Sequence, residues 1–234
     1  MKDDSQAFKY WREKIEPKFI YIFQFGKVDP TLVRGFVYAE RPFPVIAVNQ
    51  NDAMSARTFT LLHEFSHVVL ESSGICDPFS PSTPSQNKIE RFCQKIAAAT
   101  LMEKDQVISD FKGITGAISI DAVTQLAKNH KASTSAMLIR LNELDLVNNS
   151  EYEKLETEYH DHITKAKLAK KKTQGGNFFS NYMMKMSPSY LRVVFSALDQ
   201  GFIDYYKALQ YLDVQLEHID KIRGRLESIG TVDI

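Results

Sequence analysis

The motif HEFSH at residues 63–67 constrains this chain more than any other part of its sequence. It lies within residues 54–71, where apolar side chains surround the axis of a predicted helix that should be buried at a domain centre. Positions four apart share one helix face, so both imidazoles can reach a single zinc ion at about 2.0–2.1 Å. Glu64 points beside that ion, where a general base is needed. The spacing therefore predicts a metal site within a domain core.

Two other interpretations of the motif stay open. In the first, the histidines are ordinary core residues with satisfied polar atoms, although three unpartnered ionisable groups would be costly to bury without a metal. Cys76 and Cys93 could instead join the histidines in a closed structural Cys2His2 zinc site, which has no open position for catalysis. A buried and inert Cys93 is the simpler interpretation of that residue.

A catalytic zinc needs a third protein ligand and an open coordination position. Residue 73 is Ser rather than His, which excludes the metzincin arrangement. Glu90 lies 23 residues after His67, at the start of a predicted helix over residues 89–102, and a carboxylate there fits the third position. Acidic residues are also favoured in a first helical turn for electrostatic reasons alone. We predict one catalytic Zn²⁺ with His63, His67 and Glu90 as ligands.

Glu64 is the predicted general acid/base of this site, which would then hydrolyse peptide bonds. The strand predicted at Pro44–Asn49 could bind an extended peptide along the edge of the cleft. Three residues are possible oxyanion-stabilising groups, and the sequence favours none of them: Arg57, Tyr38 and Tyr10.

The remaining pattern predicts a mostly helical α+β protein. An opening helix at residues 3–16 precedes a small three-stranded sheet, and a proline-rich loop at 72–87 follows the motif helix. From residue 88 onward the periodicity is helical, so the regions after the metal domain should be all-helical. We predict a zincin-like metallopeptidase domain at 1–112, a helical region resembling a helix-turn-helix at 113–172, and a small helical domain at 173–234. The predicted strands are Phe19–Phe25, Val33–Ala39 and Pro44–Asn49.

The charge balance argues against several classes of function. The 234 residues include 29 Lys+Arg and 29 Asp+Glu, so the formal net charge is zero, unlike that of typical nucleic-acid binders. No secretory signal and no membrane-length apolar stretch is evident, so we expect a cytoplasmic protein without a membrane partner. The lysine-rich run at 165–172 is most simply a solvated helix end leading into a linker.

Two segments resemble the ImmA/IrrE family of metallo-endopeptidases. They are Ala53–Leu70 (AMSARTFTLLHEFSHVVL), preceded by PVIAVN, and Ile89–Met102 (IERFCQKIAAATLM), where Glu90 takes the ligand position. Cys93-Gln94 replaces the family's Ala-Asn. The likeness continues more loosely through residues 119–155 and 177–212.

The resemblance implies a minimal zincin fold, a bacterial or phage origin, and cleavage of a helix-turn-helix repressor encoded by an adjacent gene. Residues 122–146 could themselves form a helix-turn-helix, but the second helix offers only Arg140 as a cation. We therefore expect no direct contact with nucleic acid. The alternative function is a non-proteolytic regulatory or toxin–antitoxin-type module that binds a partner through its zincin domain.

Overall fold

The fold is mostly helical, with one small sheet near the amino terminus. A computed structural model describes residues 4–72, 74–76, 84–114, 116–169 and 177–228, with only the backbone at 74–76, 84–87 and 162–169. Helix α1 (Asp4–Ile15) is followed by a single 3-10 turn at Glu16–Lys18, and then by strands β1 (Tyr21–Phe25), β2 (Gly35–Tyr38) and β3 (Val45–Asn49). The motif lies on helix α2 (Met54–Val69), which precedes strand β4 (Gly74–Cys76).

The described residues contain nine helices after the motif helix, in agreement with the helical periodicity predicted from residue 88 onward. Helix α3 (Pro84–Leu101) carries Glu90. The next four are α4 (Lys104–Lys112), α5 (Ile120–Asn129), α6 (Thr134–Glu143) and α7 (Asn149–Ala169). The last four are α8 (Phe178–Lys185), α9 (Pro188–Asp199), α10 (Tyr205–Leu212) and α11 (Ile219–Ser228). None of the described helices is long and apolar enough to cross a membrane.

The sheet has the strand order β1-β3-β2-β4. Strand β3 lies between β1, to which it is parallel, and β2, to which it is antiparallel. The prediction that residues 44–49 form the edge of a peptide-binding cleft is therefore wrong, because neighbouring strands use both backbone edges of β3. The edge strands of the described sheet are β1 and β4.

The mostly helical α+β class and the three predicted strands are confirmed. The segment predicted as a loop at 72–87 also contains β4, which pairs antiparallel with β2, and it ends in the first turns of α3. Neither element was predicted, because the segment contains three prolines and has no periodicity. Helix α3 nevertheless begins at Pro84, since Pro is well tolerated in the first turn of a helix. Residues 73 and 77–83 of that segment lie outside the described residues.

Three apolar clusters form the core. The first joins α1, the sheet and α2, and includes Ile22, Ile46 and Leu61. The second lies among α3, α4, α5, α6 and α7, and the third among α8, α9, α10 and α11. The three domain ranges given above remain a prediction.

Helix α6 lies inside the second cluster, and this position bears on the possible helix-turn-helix. Its Arg140 side chain is buried, where it donates to the Met102 carbonyl at 3.0 Å and to Glu143 at 3.0 Å. A recognition helix needs exposed side chains that reach bases and phosphates. The burial of α6 therefore supports a structural role for this helical pair. Of the lysine run at 165–172, the backbone up to residue 169 belongs to α7, and the rest lies outside the described residues.

Candidate metal centre

Helix α2 carries three of the four predicted site residues on its buried length. It packs against α1, α3, β2 and β3, so apolar neighbours enclose most of its circumference. His63 and Glu64 are each 1% exposed and His67 is 3% exposed. The middle of this helix is buried as predicted, and the polar triplet is buried with it, whereas Val69 and Leu70 at its carboxyl end are exposed.

Glu90 on α3 reaches both histidines. Its Oε2 lies 3.1 Å from His63 Nε2, and its Oε1 lies 3.3 Å from His67 Nε2. The two Nε2 atoms are themselves 3.2 Å apart. Among the described residues, these three form the group whose ligand atoms lie within 4.8 Å of one another. The structure thus brings together the three residues that we predicted as ligands.

The donor atoms fit a small divalent ion. Tetrahedral bonds of about 2.0–2.2 Å hold ligand atoms roughly 3.3–3.6 Å apart, close to the separations observed among His63, His67 and Glu90. Two imidazole nitrogens and one carboxylate oxygen are also the kind of donor set that zinc accepts in catalytic sites. Both Nδ1 atoms are buried and have no hydrogen-bond partner among the described residues, so each imidazole directs its other nitrogen toward the shared point.

The electrostatics of the three residues suit metal binding. Burial is the main reason that the pKa of His63 is lowered, and a neutral imidazole is the form that binds a metal. Burial raises the pKa of Glu90, but hydrogen bonds and charge interactions with His63 and His67 outweigh it and bring the pKa down to about 2. Glu90 is therefore an anion at neutral pH. The site combines a neutral imidazole at His63 with a carboxylate charge at Glu90.

Glu64 differs from every other carboxylate described here. Both of its carboxylate oxygens are buried, and neither has a hydrogen-bond partner among the described residues. Burial, followed by repulsion from Glu90, raises the pKa of Glu64 well above its ordinary value. A cation held by Glu90 and the two histidines would offset both effects. Glu64 therefore has two oxygens without a partner among the described residues, next to a group of potential metal ligands.

Gly35 on β2 makes room for Glu64, and the sequence analysis did not identify it. A Cβ at residue 35 would lie 2.6 Å from Thr60 Cγ2 and 2.9 Å from Glu64 Oε1. An isolated glycine within a predicted strand often indicates a close backbone approach, and the segment Val33–Ala39 contained that signal. Strand β2 therefore contributes to the site by having no side chain at this position.

The cysteines give no support to a closed Cys2His2 site. Cys93 is buried and free, and it is not in the group of converging ligand atoms. Burial, followed by the charges of Glu90 and Glu64, raises its pKa to about 12. The side chain of Cys76 lies outside the described residues.

The three residues suggested as oxyanion-stabilising groups make their contacts with residues outside the candidate metal centre. Arg57 donates to the Asp52 carbonyl at 2.9 Å and to Gln24 Oε1 at 3.1 Å. The Tyr38 hydroxyl donates to Glu40 at 3.0 Å, and the exposed ring of Tyr10 packs edge-on against Trp11. None of these contacts directs a donor toward the histidines.

A family model agrees with this geometry. The model of the IrrE N-terminal-like domain, Peptidase M78, matches residues 19–142, which is more than half of the chain. The chain belongs to the Peptidase M78 family. The matched range includes β1–β4 and α2–α5, and with them all four residues of this M78 site. No curated protein matches the chain significantly. This M78 protein therefore has its group of potential metal ligands, His63, His67 and Glu90, within the range that matches a metallopeptidase family.

Proposed function

We propose that this protein is a zinc-dependent endopeptidase. The observation that carries the proposal is the position of Glu64, a buried and unpartnered carboxylate one residue after the first of three converging ligands. A purely structural metal site has no use for a buried carboxylate of this kind. Membership of the M78 family supports hydrolysis of peptide bonds as the reaction.

His63, His67 and Glu90 would hold the ion. Bound zinc supplies Lewis acidity, which polarises the scissile carbonyl and lowers the pKa of water. Glu64 takes a proton from the attacking water at a carboxylate oxygen and returns it to the leaving nitrogen. The apolar neighbours of α2 exclude bulk water from this proton transfer and so strengthen it.

The outer edge of β4 is the candidate position for the peptide. Cys76 on β4 pairs with Gly35, and the Gly35 backbone lies against Glu64, so β4 runs beside the general base. A peptide added there in extended form would pair with an edge strand, as in β-augmentation. This arrangement replaces the one first predicted for residues 44–49.

The proposed substrate is a helix-turn-helix repressor encoded next to this protein, and the proposed site of action is the bacterial cytoplasm. The resemblance to the ImmA/IrrE family supports both. The zero net charge and the buried Arg140 also fit a protein that affects DNA only through a partner. The second candidate function is non-proteolytic partner binding by the same domain, which the resemblance also allows.

Glu64→Gln tests the proposal, because it removes the base and keeps the shape of the side chain. We expect the wild-type protein with zinc to cut the co-expressed repressor at one site, detected by mass spectrometry of the fragments. The variant should bind zinc and repressor as the wild type does, and leave the repressor intact. If the variant relieves repression as fully as the wild type, the endopeptidase proposal is wrong and the binding-module function is correct.

A further inference from the structure

A cavity lies between the first helix and the carboxy-terminal helices. It has a volume of about 770 Å³ and is lined mainly by α1 on one side and α9 on the other, with residues of β1 and α8 between them. None of His63, Glu64, His67 and Glu90 lines it. Its size falls within the range of small-molecule pockets, roughly 300–1,000 Å³, and such pockets are common where two structural units meet.

The rim of this cavity exposes large apolar side chains. Phe19 is 57% exposed, Val193 51% and Phe202 76%, and all three line the cavity. Exposed apolar groups clustered around a concavity commonly mark a binding site. Met54 and Met183 also line it, and flexible methionine side chains adapt to ligands of different shape.

The base of the cavity contains polar groups whose hydrogen bonds are already made. Buried Arg12 donates to Glu16 at 3.0 Å, to the Ile22 carbonyl at 2.9 Å and to the Met184 carbonyl at 3.0 Å. Gln24 donates to the same Met184 carbonyl at 2.7 Å. An apolar group can therefore enter without leaving these polar atoms unpaired.

The lining of the cavity carries one more positive than negative side chain. Three cations line the cavity against two carboxylates, Glu13 and Glu16. Arg12 and Glu16 form a buried pair, whereas the 3.7 Å pair between Lys9 and Glu13 is exposed. Lys9 lies on α1 and Arg192 on α9, so the two opposite walls each contribute a cation.

We propose that this cavity binds a small anionic amphiphile, with its apolar body among the methionine and phenylalanine side chains and its anionic head between Lys9 and Arg192. This function is additional to the proposed peptidase and does not depend on it. A ligand here would touch α1 and α9 at once, so its binding would stabilise the docking of the carboxy-terminal helices on the metal domain.

Dodecanoate, kept below its critical micelle concentration, is a suitable probe, and isothermal titration calorimetry of the full chain measures its binding. We expect one saturable site that binds dodecanoate at least about tenfold more tightly than neutral dodecanol, because a charge-assisted hydrogen bond is lost with the alcohol. Arg192→Gln should weaken the binding of dodecanoate by about tenfold and leave the affinity for dodecanol unchanged.

Two substitutions locate the site. Ala197→Trp fills the cavity from α9 and should abolish binding, whereas Ala99→Trp on the exposed surface of α3 is the matched control and should change the affinity less than about twofold. Val193→Glu is a second cavity variant. Because Val193 is exposed, this variant should fold normally, and its charge should repel the carboxylate.

Three outcomes would overturn the proposal. They are no saturable binding of dodecanoate, equal binding of dodecanoate and dodecanol, and loss of binding in Ala99→Trp as well as Ala197→Trp. Light scattering tests whether a second copy covers the cavity instead. A dimer that Ala197→Trp converts to monomer would assign the cavity to self-association, also against the proposal.

Discussion

The backbone of Gly35 lies directly against the carboxylate of Glu64. Any side chain at residue 35 would come within 2.9 Å of Glu64 Oε1, so strand and helix approach each other as closely as their atoms allow. The same residue pairs with Cys76 on β4. Gly35 thus connects the proposed general base with the proposed peptide-binding edge.

Gly35→Ala should displace Glu64 and Thr60 from their positions. We expect a loss of peptidase activity on the order of 100-fold, as for other small displacements of catalytic groups. The free energy of unfolding should fall by about 1–3 kcal/mol, because the added methyl group has no space. Cleavage assays and urea unfolding measure the two effects.

Gly26→Ala is the control for that substitution. Its added Cβ would meet the amide end of the Gln50 side chain, which can rotate away. Activity should stay near that of the wild type. Equal losses in both variants would mean that the approach at Gly35 has no special importance for Glu64.

The substitutions Glu90→Gln and Cys93→Ala distinguish a zinc site with Glu90 as the third ligand from a closed site with cysteine ligands. Loss of the Glu90 carboxylate should weaken zinc binding by more than the roughly 10–100-fold cost of removing a ligand's hydrogen-bond partner. Cys93→Ala should retain one zinc ion per chain, measured by atomic emission after dialysis. Retention of zinc by Glu90→Gln together with its loss from Cys93→Ala would establish a cysteine ligand instead.

The docking of the carboxy-terminal helices should depend on Arg12. Its guanidinium reaches the carbonyls of Met184 and Met186 at the end of α8, and a lysine cannot form this planar set of hydrogen bonds. Arg12→Lys should lower the stability by about 2 kcal/mol and speed hydrogen exchange in α8. Arg41→Lys, in an exposed pair with Glu71, should change the stability by less than about 0.5 kcal/mol. Unchanged exchange in α8 would mean that other contacts hold these helices.

The stability of the carboxy-terminal helices should fall at alkaline pH. The Tyr182 hydroxyl donates to the Leu212 carbonyl at 2.7 Å, and burial, followed by Tyr190 and Asp213, raises its pKa. The folded-state pKa is above the unfolded value of about 10, so this contribution is complete below that pH and is lost as the pH rises above it.

Tyr182→Phe removes both the hydrogen bond and the titrating group. At pH 8 the substitution should lower the free energy of unfolding by about 1 kcal/mol. Between pH 8 and pH 11 the free energy of unfolding should then fall less in the variant than in the wild type, as measured by urea unfolding at each pH. The difference between variant and wild type should therefore narrow at the higher pH. A constant difference would show that Tyr182 does not contribute to the alkaline loss.

The convergence of His63 and His67 could be predicted because helical spacing alone places both side chains on one face of α2. Glu90 followed from the need for a third ligand, although only the fold shows that α3 brings its carboxylate to both imidazoles. Local patterns predicted β1, β2 and β3, but strand order depends on contacts between distant segments. For that reason the central position of β3 and the edge position of β4 were not predictable from periodicity.

Long-range contacts also explain the other omissions. The local pattern of α1 gives Arg12 no special role, because its partners Met184 and Met186 lie more than 170 residues away. Gly35 carried a local signal, but the identity of its neighbour Glu64 required the packing of α2 on the sheet.

Two of the three ligands lie on α2, and Glu90 comes from α3, 27 residues after His63. A metal bound by all three would therefore act as a reversible cross-link between two helices that also pack against each other. Closing a loop of this length reduces the entropy of the unfolded chain, so the ion would stabilise the fold as well as serve in catalysis. Under metal starvation this protein would lose that additional link between α2 and α3 together with its proposed activity.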